Sequence, residues 1–279
     1  MNALYSALGT ILPFSWLEPA FMKNALLAVL VAAPLFGMLG SVVVSNQMAF
    51  FSDAIGHSAL TGIALGVIIG IREPMVTMVA FSLLLAFAII IVKTKGKSSA
   101  DTIIGVFSST SVALGIVLLS ATGNFAKYQR YLVGDILSIR PEEILHLLVA
   151  LILLVISFVA LYNKMLLTNL HTTFARSRGI KTLAVETAFA LLTAAIVTIS
   201  IRWTGLLVIN SLLVLPAASS RLVSRNARTY IALSVAISLV SCVTGLALSW
   251  YMGSASGATI VIVNAAAFAL CLVLGTVRK

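Results

Sequence analysis

Long apolar runs alternate with short polar breaks along the chain, and each run is close to the length of one bilayer crossing. A hydrocarbon core about 30 Å thick takes roughly 20 apolar residues in a helix. Nine segments meet that measure: Ala20 to Val44, Asp53 to Ile71, Met75 to Val92, Thr102 to Ala121, Glu143 to Leu161, Leu183 to Ile201, Thr204 to Ala218, Thr229 to Met252 and Gly257 to Val277. Only Arg202 and Trp203 part the sixth from the seventh, and the seventh is short, so eight crossings are the alternative. The pattern predicts an all-α polytopic membrane protein, a single transmembrane domain over residues 1–279.

Two polar segments are longer than a connection needs. Thr122 to Glu142 carries aromatics, Asp135 and a helix-start signal at Pro141-Glu142-Glu143, and reads as a partly ordered re-entrant or surface element. Tyr162 to Thr182 mixes Leu166, Leu167, Leu170 and Phe174 at helical spacing with basic residues and has Gly179 as a stop. It reads as a short amphipathic helix that lies at the lipid interface or docks into a partner's groove.

Composition agrees with a lipid solvent. Of the 279 residues 61% are hydrophobic, and the charged ones number 26 where a soluble domain of this size would carry about seventy. An ordinary soluble enzyme is excluded. Placing the amino terminus outside puts twelve basic residues in inner loops (Lys93, Lys95, Lys97, Lys164, Arg176, Arg178, Lys181, Arg221, Arg225, Arg228, Arg278 and Lys279) against six outside (Lys23, Arg72, Lys127, Arg130, Arg140 and Arg202). The net charge of +10 is therefore an orientation signal with a cytoplasmic carboxyl end, and a nucleic-acid partner is not expected. Cys242 and Cys271 stand singly in apolar runs and read as packing residues. No basic stretch followed by a small-residue cleavage site opens the chain, so no removable signal peptide is expected.

Charge inside a span needs a reason, since an Asp at a helix centre costs about 2.5–3.5 kcal/mol on insertion scales. Asp53 and His57 lie one helical turn apart on one face, with Thr61 continuing the stripe. A carboxylate and an imidazole so placed can ligate one divalent cation of the zinc, manganese or ferrous iron kind, and a second copy of the helix across a two-fold axis would complete the shell. The plainer alternative is a self-satisfying pair at a helix start, with Asp53 favoured by the dipole. Beside it Ala54, Ser58, Gly62, Gly66 and Gly70 recur at a spacing of four, which predicts close approach of a neighbouring helix.

Other polar positions are weaker candidates. His146 follows Glu142 and Glu143 at a helix start, His171 sits in the inner segment, Glu186 lies near Lys181, and Asn210 reads as a helix-to-helix contact. Pro34 and Pro216 are expected to kink or end their helices. Gly96-Lys97-Ser98 is not a phosphate-binding loop, because Ile91 stands where that motif needs glycine, so ATP is not expected to bind this chain. No motif for an intramembrane enzyme is present in the sequence.

These residues carry a resemblance. Met48 to Gly66 (MAFFSDAIGHSALTGIALG), Gly205 to Ser224 (GLLVINSLLVLPAASSRLVS) and Ser256 to Val263 (SGATIVIV) resemble the ABC-type metal permeases that import zinc, manganese or iron into bacteria. The resemblance implies a multi-pass permease of the bacterial plasma membrane, working as a homodimer with ATP-hydrolysing cytoplasmic subunits and an extracytoplasmic metal-binding protein. It implies that Asp53 and His57 line the path of the metal. It also implies that residues 162–182, with Phe174, Arg176, Arg178 and Gly179, are the coupling segment seated on the ATPase. Two departures stand out: Ser45-Asn46-Gln47 where basic residues are common, and Thr61 where proline is frequent, the latter a possible added ligand.

The span order starts Asp53 near the inner side, shallower than a gating site requires. A helix starting earlier, from Asn46, is the expected remedy. Alternatives of other classes are a proton- or sodium-coupled secondary metal transporter and a permease for siderophore-bound iron, haem or cobalamin.

Overall fold

A computed structural model describes residues 14–71, 73–96, 98–123 and 135–277. Among these residues all regular structure is helical. The α-helices are α1 (Ala20–Ser45), α2 (Phe51–Ile69), α3 (Pro74–Lys95), α4 (Ala100–Ala121), α5 (Pro141–Leu170), α6 (Thr172–Ser177), α7 (Thr182–Thr204), α8 (Leu206–Val223), α9 (Ala227–Met252) and α10 (Ser256–Val277). Nine of them, all but α6, are long and apolar enough to cross a membrane. The expected spans are all present as helices, and α8, the short one, runs 18 residues and is itself long and apolar enough to cross, which favours nine over eight.

Local chemistry explains most boundaries. The Ser99 hydroxyl accepts the Thr102 N–H at 3.2 Å to cap α4, and the Asn226 side chain does the same for Thr229 at 2.8 Å in α9. Pro74 and Pro141 open α3 and α5, where a missing N–H costs nothing. The break between α7 and α8 falls on Gly205, whose φ of 76° and ψ of 153° suit a residue without Cβ, and not on the Arg202-Trp203 pair. Neither Pro34 nor Pro216 ends its helix, contrary to one of the two expected outcomes.

The inner segment also differs from expectation. Tyr162 to Leu170 is not a separate amphipathic helix but the end of α5, because nothing between Leu161 and Leu170 breaks the helix. The separate piece is α6 alone, closed at Gly179 with φ 76°. Residues 124–134, including Lys127 and Arg130 of the expected outer element, lie outside the described residues, as do Arg72, Lys97, Arg278 and Lys279.

The chain divides into two compact units: Met1–Val44 with Gly134–Ile152 and Trp203–Lys279, and Ser45–Val133 with Leu153–Arg202. In the first, α8, α9 and α10 pack together, and α1 is held by small residues. A Cβ on Gly37 would come within 3.0 Å of the Val235 Cα, and the Ser234 hydroxyl donates to the Gly37 carbonyl at 2.8 Å. Trp16 and Leu17 join Met22, Ala25, Leu26 and Leu246 in an apolar cluster. In the second unit α2 packs against both α3 and α4. Along α5, Leu145, Leu148, Val149, Ile152, Leu153, Ile156 and Val159 are exposed, the surface a lipid-facing helix presents.

Candidate metal site

Helix α2 is built to be enclosed. Ala54 and Ser58 are fully buried, and the Ser58 hydroxyl stands 3.5 Å from that of Ser82 on α3. A Cβ on Gly62 would lie 2.7 Å from the Met78 Cα, and one on Gly66 would strike the Thr77 side chain. The small-residue ladder thus does what its spacing predicts over Ala54, Ser58, Gly62 and Gly66. Gly70 is a correction: it has open space around it and a φ of 82°, so it terminates α2 in the left-handed conformation and packs nothing.

Against this enclosed background Asp53 and His57 stand out. Their side chains keep 40% and 36% of their accessible surface, and Asp53 Oδ1 lies 3.5 Å from His57 Nε2. Two ligands of a tetrahedral ion at about 2.0–2.1 Å each are roughly 3.3–3.4 Å apart, so these donor atoms already have nearly the separation that one shared cation imposes. Asp53 is the third residue of α2, where the helix dipole favours a carboxylate and where no side chain of the N-cap Phe50 serves as cap. Among the described residues no third histidine, cysteine or carboxylate joins them, so one copy of the chain brings only these two such donors together here.

Thr61 has a different setting from the pair. It is fully buried, its hydroxyl donates to the Ser111 carbonyl on α4 and accepts from the Ser111 hydroxyl at 3.4 Å, and Gly115 lets α4 approach at that point. The third member of the helical stripe is thus engaged by a neighbouring helix.

The earlier helix start is also not found. Residues 46–50 form turns, with Gln47 at φ 55°, and α2 begins at Phe51. Depth comes instead from the neighbour. Ser58 meets Ser82 and Gly62 meets Met78, a step of four on each helix in opposite directions, and extending that register sets Asp53 level with Phe87. Lys93 is six residues further along α3, about 9 Å at 1.5 Å per residue. Its ammonium lies 3.7 Å from the Met48 sulfur, so the turn before α2 reaches that same level and α2 starts well inside the length of α3.

The other candidates resolve individually. Glu186 on α7 pairs with Lys93 at 3.6 Å, not with Lys181. Glu143 accepts the Arg140 N–H at 2.9 Å as a capping contact, while Glu142 and His146 are exposed. Arg176 Nε donates to the Thr182 hydroxyl at 3.3 Å, and the Arg178 guanidinium sits 4.9 Å from the centroid of the half-exposed Phe174 ring. A shallow recess is lined by His171, Thr172, Thr173, Phe174 and Ser177. Gly96 closes α3 with its N–H on the Val92 carbonyl at 2.7 Å, an ordinary helix end. Cys242 and Cys271 are both free thiols. The Lys93 to Glu186 and Thr61 to Ser111 contacts had no signal in the sequence, since partners 93 and 50 residues away are matched only by the fold.

Comparison with known proteins decides the family. A model of the ABC 3 transport family matches residues 18–275. The chain belongs to the ABC 3 transport family. Similar members include the "High-affinity zinc uptake system membrane protein ZnuB" of Haemophilus influenzae, 30% identical over 93% of this chain and 97% of that protein. Another is the "Manganese import system permease protein ScaB" of Streptococcus gordonii, 28% identical over 89% of each. Among solved structures, "PsaBC from Streptococcus pneumoniae in complex with Fab" superposes with a TM-score of 0.78 at 24% identity, covering 97% of this chain and 95% of that one, a likeness of fold. The resemblance drawn from residues 48–66, 205–224 and 256–263 therefore holds over nearly the whole length: this is a multi-pass ABC-type permease subunit.

Proposed function

We propose that the chain is the membrane-spanning subunit of an ATP-driven importer of divalent transition metal ions, zinc or manganese first and iron also compatible with the donor set. The observation that carries this reading is the 3.5 Å separation of the Asp53 and His57 donor atoms, which stay partly open on the first turns of a helix whose residues Ala54 to Ala64 are otherwise buried. Relatives of nearly equal length that are named for zinc and manganese support a bare ion over a large organic chelate. Oxygen and nitrogen donors suit all three metals, so this site by itself does not choose among them.

Two ligands per chain favour a homodimer in which two copies of α2 face one another and four donors hold the ion in transit. Release requires that hold to be weak, and uphill transport requires energy from outside the site, because a binding site alone can only shift populations. Membership of an ABC family supports cytoplasmic ATP-binding subunits as the source of that energy, with a metal-binding protein delivering cargo at the outer face. The excess of basic residues in alternate loops orients the chain in the bacterial inner membrane with a cytoplasmic carboxyl end. On this orientation α6 lies on the cytoplasmic side, where Phe174, Arg176, Arg178 and Gly179 form the coupling segment.

The test is uptake of radiolabelled zinc and manganese by cells expressing Asp53→Ala or His57→Ala permease, with assembly checked by co-purification. Each variant is expected to lose at least about tenfold in uptake, the equivalent of roughly 1.4 kcal/mol. Full uptake by an assembled Asp53→Ala, His57→Ala double variant would remove both residues from the path.

A further inference from the structure

The ion pair between Lys93 and Glu186 has no place in the metal site or in the contact with an ATPase, yet it stands between the two. Both side chains keep only 24% of their surface, and their charged atoms are 3.6 Å apart. Lys93 ends a helix from which a lone lysine can reach the headgroup layer, where its charge would cost nothing. Here it turns instead toward α7 and toward the Met48 sulfur, 3.7 Å away. A pair three-quarters withdrawn from water gains little net stability, because desolvation offsets much of the attraction, so holding a particular geometry is the better reason for it.

The contacts on either side continue the path. Glu186 lies one turn beyond Thr182 on the same face of α7, and Thr182 accepts the hydrogen bond from Arg176 of α6 at 3.3 Å. On the other side, Met48 carries the carbonyl that accepts the Phe51 N–H at 2.9 Å, the first residue of α2, two positions before Asp53. Arg176, Thr182, Glu186, Lys93 and Met48 thus connect α6 to the start of α2 without a gap.

We infer that Lys93 and Glu186 are positioning residues that lock the inner ends of α3 and α7 into one body, so that a displacement of α6 is delivered to the turn holding α2 and hence to Asp53 and His57. The inference rests on the ATP-driven permease reading. It makes the pair a determinant of how much metal moves per ATP, not of how tightly metal is held. Coupling of this kind travels through discrete packed and hydrogen-bonded groups, and breaking one link loosens it without touching either end.

The experiment uses the permease reconstituted in liposomes with its ATP-binding subunit and metal-binding protein, and measures zinc or manganese uptake, ATP hydrolysis and the KM for metal together. Lys93→Met and Glu186→Gln are each expected to lower the metal moved per ATP by at least about fivefold, with KM unchanged. The reversed pair, Lys93→Glu with Glu186→Lys, is expected to recover at least half of the wild-type ratio, and Lys93→Arg to keep it. An unchanged ratio in both neutral variants overturns the inference, as does a rise in KM that accounts for the loss. If a neutral variant fails to assemble, the reversed pair and Lys93→Arg decide: assembled but uncoupled complexes in either overturn it. A wild-type complex that shows no ATP-driven uptake sinks the permease reading itself, and is distinguished by the absence of any ratio to compare.

Discussion

At the scale of single residues, exposure sorts the polar groups of α2. Asp53, His57 and Thr61 share one helical stripe in the sequence, yet the first two remain open while Thr61 is sealed against α4 by its bond to Ser111. The consequence is that Thr61→Val should behave as a packing change. Leaving the Ser111 partners without their hydroxyl is expected to cost about 1–3 kcal/mol of stability, seen as a lower Tm of the purified permease. Metal uptake per folded molecule should stay the same; a selective loss of uptake with Tm intact would return Thr61 to the list of ligands. Asp53 and His57 were legible because carboxylates and histidines are so scarce in the spans, whereas the fate of Thr61 depended on which helix lies next to it.

At the scale of helices, glycine has two separate uses that sequence spacing does not tell apart. Gly62 and Gly70 belong to one ladder of small residues, but Gly62 touches the backbone of Met78 and Gly70 touches nothing. Gly62→Ala is expected to destabilise by about 1–3 kcal/mol through overpacking against a backbone that has no free torsion to yield. Gly70→Ala is expected to cost about 1–2 kcal/mol through its left-handed backbone alone. The two are distinguished by asparagine, which tolerates the left-handed conformation: Gly70→Asn should recover part of the stability lost in Gly70→Ala, while Gly62→Asn should melt lower than Gly62→Ala. Helix existence was readable from the apolar runs, and most ends from caps and prolines. The end of α5 was not, because a polar run after Leu161 lowers hydropathy without interrupting hydrogen bonding, and helices continue until something stops them.

For the whole molecule, charge placement and helix count jointly predict a topology. On the proposed orientation, nine crossings with a cytoplasmic carboxyl end would place Ser177, after α6, on the inner side and Ser254, between α9 and α10, on the outer side. Single cysteines at these positions, in a chain with Cys242 and Cys271 replaced by alanine, should react differently with a membrane-impermeant maleimide applied to spheroplasts. Label on Ser254→Cys and none on Ser177→Cys is the expected result, and the opposite pattern would invert the orientation. The same topology explains why basic residues such as Lys93 carry two meanings, one as an orientation signal and one as a structural partner of Glu186.

The sequence by itself determined the solvent, nine apolar runs of crossing length, the small-residue face of α2 and an acid and a histidine one turn apart on that helix. These follow from composition and from periodicity along a single helix, which need no knowledge of neighbours. Only the tertiary structure decided that Thr61 belongs to α4, that Glu186 belongs to Lys93, and that Asp53 is set about 9 Å short of the level of Lys93 on α3 although it opens its own helix. Each of these depends on the register between helices far apart in the chain, and register is fixed by which small residues allow two backbones to approach.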